Sequence, residues 1–454
     1  MFRSPIQSRL PDAVIFVFIL TAAGVLSGRL PGADLPLRLL LMIALPLLTA
    51  AAVRLSGVSG RKLRLLMAAL TGILLLLRLL WFPVETTDYT DFLLPWTNWY
   101  RAHGGLQALG RSVGNYNVPY LVFLALFSYW DVPVLYLIKL LSTVFDLVLA
   151  VSISRIVLTL TGSEKRGAAA FLLSLALPTV FINGSIWGQC DSLYVSLALL
   201  GLYFTLDRRS WLGMICLGFS FAFKLQAIFL IPVFFACLVS GKLRLRDLPL
   251  FPAAYLLAVS PAMLAGRPAS EVLLFYFKTA ATAGDGLNYN SPSMYALRHF
   301  WYVTDPEQAA RLGILFALLL CLLFALVFLL RRKKIDNSAI LFAALLLTCG
   351  IPLFLPHMHD RYFFFCDMLT LAVAFVVPWT APFVLFSQFA SLLGYYAYFY
   401  RVYLLPMRYG FWVLVPIVLC CATLCCLRLW RREAAVSPPD LAAHAENNRG
   451  GTES

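Results

Sequence analysis

LGILFALLLCLLFALVFLL, residues 312–330, runs straight into Arg331-Arg332-Lys333-Lys334, and this junction decides what kind of chain it belongs to. Nineteen residues without a charge form a helix about 28 Å long at ~1.5 Å per residue, which matches a hydrocarbon core of about 30 Å. The four cations mark the side on which such a helix stops. The pattern recurs along the whole sequence. Of 454 residues, 61% are hydrophobic and only 13% charged, and the mean hydropathy is +0.83; a water-soluble domain carries roughly 25% charged residues. Fourteen apolar stretches read as spans: 12–28, 39–53, 65–82, 134–158, 167–182, 188–206, 211–223, 227–241, 249–264, 312–330, 338–355, 363–378, 382–399 and 411–427. The expected fold is all-α and polytopic, about 13–14 transmembrane helices in one domain over residues 1–430. The remainder, 431–454, is a polar tail that reads as disordered.

The net charge of +14 invites a nucleic-acid partner, but the cations sit at the ends of apolar runs on alternate connections. That is the positive-inside pattern. With the N-terminus inside, the inner segments hold 21 Lys and Arg and the outer segments 11. Both termini are therefore expected in the cytoplasm of a multi-pass cell-membrane protein. Ten cysteines show neither disulfide nor metal-ligand spacing. The segment 116–130 is apolar but short, and reads as a re-entrant or surface helix. Lys224 and Gln226, between 211–223 and 227–241, leave open whether these are two spans or one bent helix. Lys139 and Asp146 stand seven apart in one span and read as a buried polar pair.

Under this topology the polar residues gather on the outer face, in large loops 83–133 and 265–310 and in shorter turns. PVETTDYTDFLLPWTNWYRAH (83–103) places Glu85, Asp88 and Asp91 ahead of Phe92, Trp96, Trp99 and Tyr100, which recur on one face of a helix. Such a helix suits the membrane–water interface. Asn117 opens the re-entrant segment; Asn183, Trp187, Gln189 and Asp191 occupy the turn NGSIWGQCDS. Lys224 and Gln226 follow, then Gly284-Asp285-Gly286 and the run from Asn288 through Asn290 to Tyr295, then His357, His359, Asp360 and Arg361 in PHMHDRY. Asn183-Gly184-Ser185 matches a glycosylation sequon but lies too close to the membrane to serve as an acceptor.

Carboxylates beside Lys, Arg and His at a bilayer surface suit a lipid-linked anionic substrate attacked by a hydroxyl. One Asp accepts the hydroxyl's proton, cations stabilise charge on a departing phosphate, and a carboxylate favours an oxocarbenium-like sugar. No glycine-rich phosphate loop or nucleotide-binding unit appears, which argues against a nucleotide-sugar donor. A transporter or flippase of lipid-linked glycans would place polar groups at mid-membrane in repeated halves; a glycan polymerase or ligase would share this topology and differ in donor.

DYTDFLLPW (88–96), GNYNVPY (114–120), WGQCDSLY (187–194), KLQAIFLIP (224–232) and HMHDRYFFF (357–365) resemble the bacterial mannosyltransferase-like proteins. These are related to the second mannosyltransferase of glycosylphosphatidylinositol synthesis, within the GT-C superfamily. The resemblance implies an inverting transferase that moves a mannose-like hexose from a polyprenyl-phosphate donor to a glycan or glycolipid acceptor on the outer face. It implies Asp88 as base, Asp91 as candidate second acid, and donor phosphate contacts at Lys224, Gln226, His359 and Arg361. Asn117, Trp187, Gln189, Asp191, Asn290, Tyr295, His357 and Asp360 then fall where substrate contacts are expected. No cofactor is implied, and a divalent metal is left open.

Overall fold

The structure, a computed structural model, describes residues 5–281, 287–297 and 305–431. Gly284-Asp285-Gly286 and the tail from 432 lie outside the described residues. The chain opens with α1 (Pro5–Ser27), α2 (Leu35–Leu55) and α3 (Arg61–Leu79). A cap follows, with α4 (Leu94–Ala102) and α5 (Val118–Phe127). Next come α6 (Val134–Thr161), α7 (Glu164–Ala176), α8 (Pro178–Phe181), α9 (Asp191–Leu206), α10 (Ser210–Phe223), α11 (Ile231–Val239) and α12 (Leu250–Leu264). Two short helices, α13 (Ala269–Leu273) and α14 (Phe275–Ala281), lead to α15 (Pro306–Leu330), α16 (Asn337–Phe354), α17 (Phe364–Val376), α18 (Pro382–Tyr400) and α19 (Arg408–Leu429). No strand occurs among the described residues.

Each of the fourteen apolar stretches coincides with a helix or a helix pair. By length and composition, six of these are fit to cross a bilayer: Leu35–Leu55, Val134–Thr161, Leu245–Leu264, Pro306–Leu330, Asn337–Phe354 and Arg408–Leu429. A seventh is added if α7 and the segment Pro178–Trp187, bent by 50°, form one span. The others fall short for visible reasons. α9 has 16 residues and α17 has 13, so their helical lengths are about 24 and 20 Å. Cations flank the apolar run of α3 at Arg61, Lys62, Arg64 and Arg78, and tyrosines dilute α18. The segment 211–241 is a break rather than a smooth bend. Lys224 has extended backbone (φ −155°, ψ 136°) between α10 and a 3-10 turn, Leu225–Leu230, that runs into α11.

Helix starts are fixed by side chains that satisfy orphan N–H groups. Asp34 accepts from the Leu37 N–H at 2.9 Å, Asp305 from those of Glu307 and Gln308, and Asp336 from that of Ala339 at 2.7 Å. Pro36 and Pro306 lie in the first turns, where a missing N–H costs no ladder bond. α16 is almost wholly enclosed, whereas α15 presents Ile314, Leu318, Leu322 and Leu326 outward. An apolar face of this size on α15 is a lipid-facing surface.

One apolar cluster joins α6, α9, α10, α11, α16, α17 and α19; a second joins α1–α3 to one side of α6 and α7. A third, built from residues 89–145 with Cys190, Leu193, Val259 and Val272, forms the cap. In the cap, α5 is only 10 residues long and packs against α4 and α12, as expected of a segment that does not span. The aromatic helix is shorter than its sequence pattern: a π-helical turn, Tyr89–Leu93, precedes Pro95 in the first turn of α4. Phe92 is exposed, Trp96 and Trp99 half-buried and Tyr100 fully buried, so the face is graded rather than uniform.

The expected pairing of Lys139 with Asp146 is corrected by the structure. Asp146 Oδ2 lies 2.5 Å from Nη1 of Arg78, with both side chains completely enclosed. Lys139 Nζ instead donates to the carbonyls of Trp81 at 3.0 Å and Val84 at 2.6 Å. The reason is α3, which inserts Arg78 beside α6, while the chain leaving α3 turns its free carbonyls toward Lys139.

Candidate active site

Two π-helical turns meet at the site. Such turns insert one residue into the helical ladder and occur often at functional positions. One, Tyr89–Leu93, begins just after Asp88; the other, Ile182–Trp187, ends at Gly188 with φ +76°, a left-handed conformation that glycine adopts without penalty. This second turn aims Trp187 and Gln189 at Asp88. Trp187 Nε1 donates to Asp88 Oδ2 at 2.9 Å, and Gln189 Nε2 donates to the same oxygen. Asp88 Oδ1 has no hydrogen-bond partner among the described residues, and the side chain is half-buried. Behind it, the Asp88 N–H donates to Tyr398 Oη at 3.1 Å, and Tyr398 stacks on Trp187 with ring centroids 4.0 Å apart.

From Trp187 the cluster continues to the cations. The Arg361 guanidinium lies 5.3 Å from the Trp187 ring centroid. Its Nε is 3.5 Å from Asp191 Oδ2, and its Nη1 is 3.6 Å from Asp360 Oδ1. Lys224 Nζ pairs with Asp191 Oδ1, and Asn183 Nδ2 donates to Asp191 Oδ2 at 2.8 Å. Asn290 Nδ2 donates to Asp360 Oδ2 at 3.2 Å, and Asn288 Nδ2 lies 3.4 Å from His359 Nδ1. The loop carrying His359, Asp360 and Arg361 is turned inward at His357, which has φ +57°. A non-glycine residue holds that conformation only where its surroundings fix it. On the other side Gly394 lets α18 close onto the loop: a Cβ there would lie 2.6 Å from that of Asp360.

Burial, helped by Asp191 and Asp88 and opposed by Arg361, raises the Asp360 carboxyl from 3.8 to about 6. His359 keeps an exposed edge. Partial burial, then the charges of Arg361 and Lys224, lower its imidazole to about 4, so it is neutral near pH 7. It therefore offers a hydrogen bond and not a positive charge to whatever approaches its exposed edge. Two cations, Lys224 and Arg361, face three carboxylates, Asp88, Asp191 and Asp360. An incoming anion must compete with Asp191 and Asp360 for them.

Asp88, Trp187, Gln189, Asp191, Lys224, Asn290, His359, Asp360 and Arg361 thus converge, although they come from five separate parts of the chain. Other candidates are placed elsewhere or do different work. Asp91 is exposed and accepts from Thr90 Oγ1 at 2.9 Å. Asn117 caps α5 and donates to the Ala222 carbonyl at 2.9 Å. Tyr295 Oη bonds the carbonyls of Ala309 and Phe354, a structural brace. Gln226 has a buried Oε1 without a partner among the described residues. Asn183 is fully buried, which removes the sequon as a modification site.

Three tyrosines complete the cluster: Tyr116, which opens the re-entrant segment beside Asn117, and Tyr395 and Tyr398, which the sequence does not single out. Tyr116 Oη donates to Gln189 Oε1 at 3.3 Å, and Asn183 Nδ2 donates to Tyr395 Oη at 3.2 Å. A signal exists for two of them: in GYYAYFYRVY (394–403), Tyr395 and Tyr398 stand three apart, on one helix face. Among the described residues, no group of three or more His, Cys, Asp or Glu is placed to hold a metal ion.

A family model, Glycosyltransferase family 87, matches residues 115–356, more than half of the chain. The match takes in Trp187, Gln189, Asp191, Lys224 and Asn290, and stops short of Asp88 on one side and of His359, Asp360 and Arg361 on the other. No curated protein matches the chain. With its helical membrane architecture and this match, the chain belongs to glycosyltransferase family 87, a GT-C-like family of membrane glycosyltransferases.

Proposed function

We propose that this glycosyltransferase moves a mannose-like hexose from a polyprenyl-phosphate-sugar to a hydroxyl of a glycan or glycolipid acceptor. The transfer proceeds with inversion at the outer face of the cell membrane. One observation carries the reading: Asp88 has one carboxylate oxygen held by Trp187 and Gln189 and the other without a partner among the described residues. A base so held has a fixed direction and a vacant lone pair. In the proposed step the acceptor oxygen attacks the anomeric carbon and its proton passes to Asp88 Oδ1. The bond from that carbon to the phosphate oxygen breaks, and polyprenyl phosphate leaves with the electron pair. Lys224 and Arg361 then exchange part of their pairing with Asp191 and Asp360 for the developing phosphate charge.

Purified protein incubated with a panel of polyprenyl-phosphate sugars should release polyprenyl phosphate from one of them. Consumption of a nucleotide sugar, with every lipid donor left intact, overturns the donor assignment. Arg361→Ala or Lys224→Ala should lower donor turnover by about 100-fold, far more than Met358→Leu, which swaps similar volumes beside the site. Unchanged kinetics in both alanine variants would leave these cations as structural partners of Asp191 and Asp360 only.

Sidedness has its own test. Gln107→Cys, at an exposed position in the cap, should react with an impermeant thiol reagent in intact cells, and Lys333→Cys should not. The reverse labelling would move the site to the cytoplasmic face and remove the argument for a polyprenyl donor.

A further inference from the structure

At the end of α9 away from Asp191, a cavity of about 420 Å³ opens between α2, α6 and α9. Along α9 that end lies about 24 Å from the candidate active site, at ~1.5 Å per residue over its 16 residues. The walls include Leu48, Leu55, Val144, Val148, Val151 and Leu200. Leu48 and Leu55 are seven residues apart on α2, and Val144 and Arg155 eleven on α6. The groove therefore follows the helices for about 10–16 Å.

Its polar end is unlike its walls. The Arg155 guanidinium lies 5.8 Å from the Tyr203 ring centroid, and that of Arg209 lies 5.5 Å from the same ring. Arg155 Nε donates to the Leu55 carbonyl at 2.6 Å, and Arg209 Nη2 donates to Tyr203 Oη at 2.9 Å. These bonds fix where the two cations stand. Only one acid answers them: Asp207 lies 2.6 Å from Arg209, and Arg155 has no acidic partner among the described residues. Two guanidiniums on one ring, with one carboxylate between them, leave an unneutralised positive charge at the mouth of an apolar groove. That charge sits at the α2 and α9 ends rich in Lys and Arg, with Arg54, Arg61 and Arg208 close in sequence.

We propose that this groove is a binding site for an anionic glycerophospholipid of the leaflet opposite the candidate active site. One acyl chain lies along Leu48, Val148 and Leu200, and the headgroup phosphate lies between Arg155 and Arg209. Charge complementarity selects the occupant. Arginine takes phosphate through paired N–H donors, an anionic leaflet supplies the ligand, and the apolar walls match a hydrocarbon chain. The groove lies where α2, from the N-terminal cluster, meets α6 and α9, so a bound lipid fills the joint between two packing units. The proposal needs only the membrane setting of the chain, and it stands whatever sugar donor the enzyme uses.

The test uses the full chain purified in detergent and delipidated, with phosphatidylglycerol or phosphatidylcholine added back and bound lipid counted by native mass spectrometry. Wild type should retain one phosphatidylglycerol at least about tenfold more tightly than phosphatidylcholine, with a raised thermal midpoint. The double variant Arg155→Gln, Arg209→Gln should lose that preference. Val148→Phe, which fills the groove and leaves both cations in place, should lose the bound lipid and keep its fold. Equal binding of the two lipids by wild type overturns the proposal. So does phosphatidylglycerol binding left intact by Val148→Phe, which remains informative should the arginine variant fail to fold.

Discussion

Asp88→Asn should lower the rate of sugar transfer by about 100-fold to 10,000-fold, the range expected when a positioned base is lost. The amide keeps the size of the side chain and an oxygen able to accept from Trp187 Nε1, but it cannot take the acceptor's proton. Protein yield and thermal midpoint should change little, because the side chain is half-buried and belongs to none of the apolar clusters. Asp91→Asn is the internal comparison. Its carboxylate is exposed and bonded only to Thr90 among the described residues, so its effect should be slight. Near-normal transfer by Asp88→Asn, measured with saturating donor and acceptor, would remove the base assignment. A large loss in Asp91→Asn with Asp88→Asn intact would reverse the two roles.

The contrast between these two acids shows what the sequence conveys. Both stand in DYTD, both face the expected side, and spacing alone does not separate them. They are separated by the turn at Gly188, 100 residues later in the chain, which brings Trp187 and Gln189 to one of them. Local pattern carries no information about such a contact. Apolar runs, by contrast, are set by the bilayer itself, and all fourteen fall on helices. Breaks inside runs are visible as isolated polar residues, as at Lys224, but their geometry is not: an extended residue between two helices and a smooth bend have the same composition. Tyr398 and Tyr395 were hidden for a third reason. Tyrosine near a span end reads as an interfacial anchor, and only the approach of α18 to Asp88 and Asn183 gives these two another task.

Asp146→Asn should destabilise the protein by ~3–5 kcal/mol, because it leaves Arg78 charged, enclosed and without its counter-ion. Arg78 is fully buried and bonded to three partners. Nη1 reaches Asp146 at 2.5 Å and Ser185 Oγ at 2.9 Å, and Nη2 reaches the Leu175 carbonyl at 2.7 Å. Asp146 Oδ1 in turn accepts from Ser192 Oγ. Ser185 and Ser192 bracket the turn that presents Trp187 and Gln189 to Asp88, so loss of the pair should also loosen the hold on the base. Two readouts follow. The thermal midpoint should fall sharply, and the variant that still folds should show a lower kcat with donor KM less affected, since Lys224 and Arg361 are anchored through Asp191 instead. The double variant Arg78→Met, Asp146→Leu should recover much of the stability, because apolar residues of similar volume need no counter-charge. It should not recover the rate, because Ser185 and Ser192 would still lack their partners. Wild-type stability in Asp146→Asn would show that the pair is not the clamp, and rate recovery in the double variant would show that the turn holds Asp88 without it.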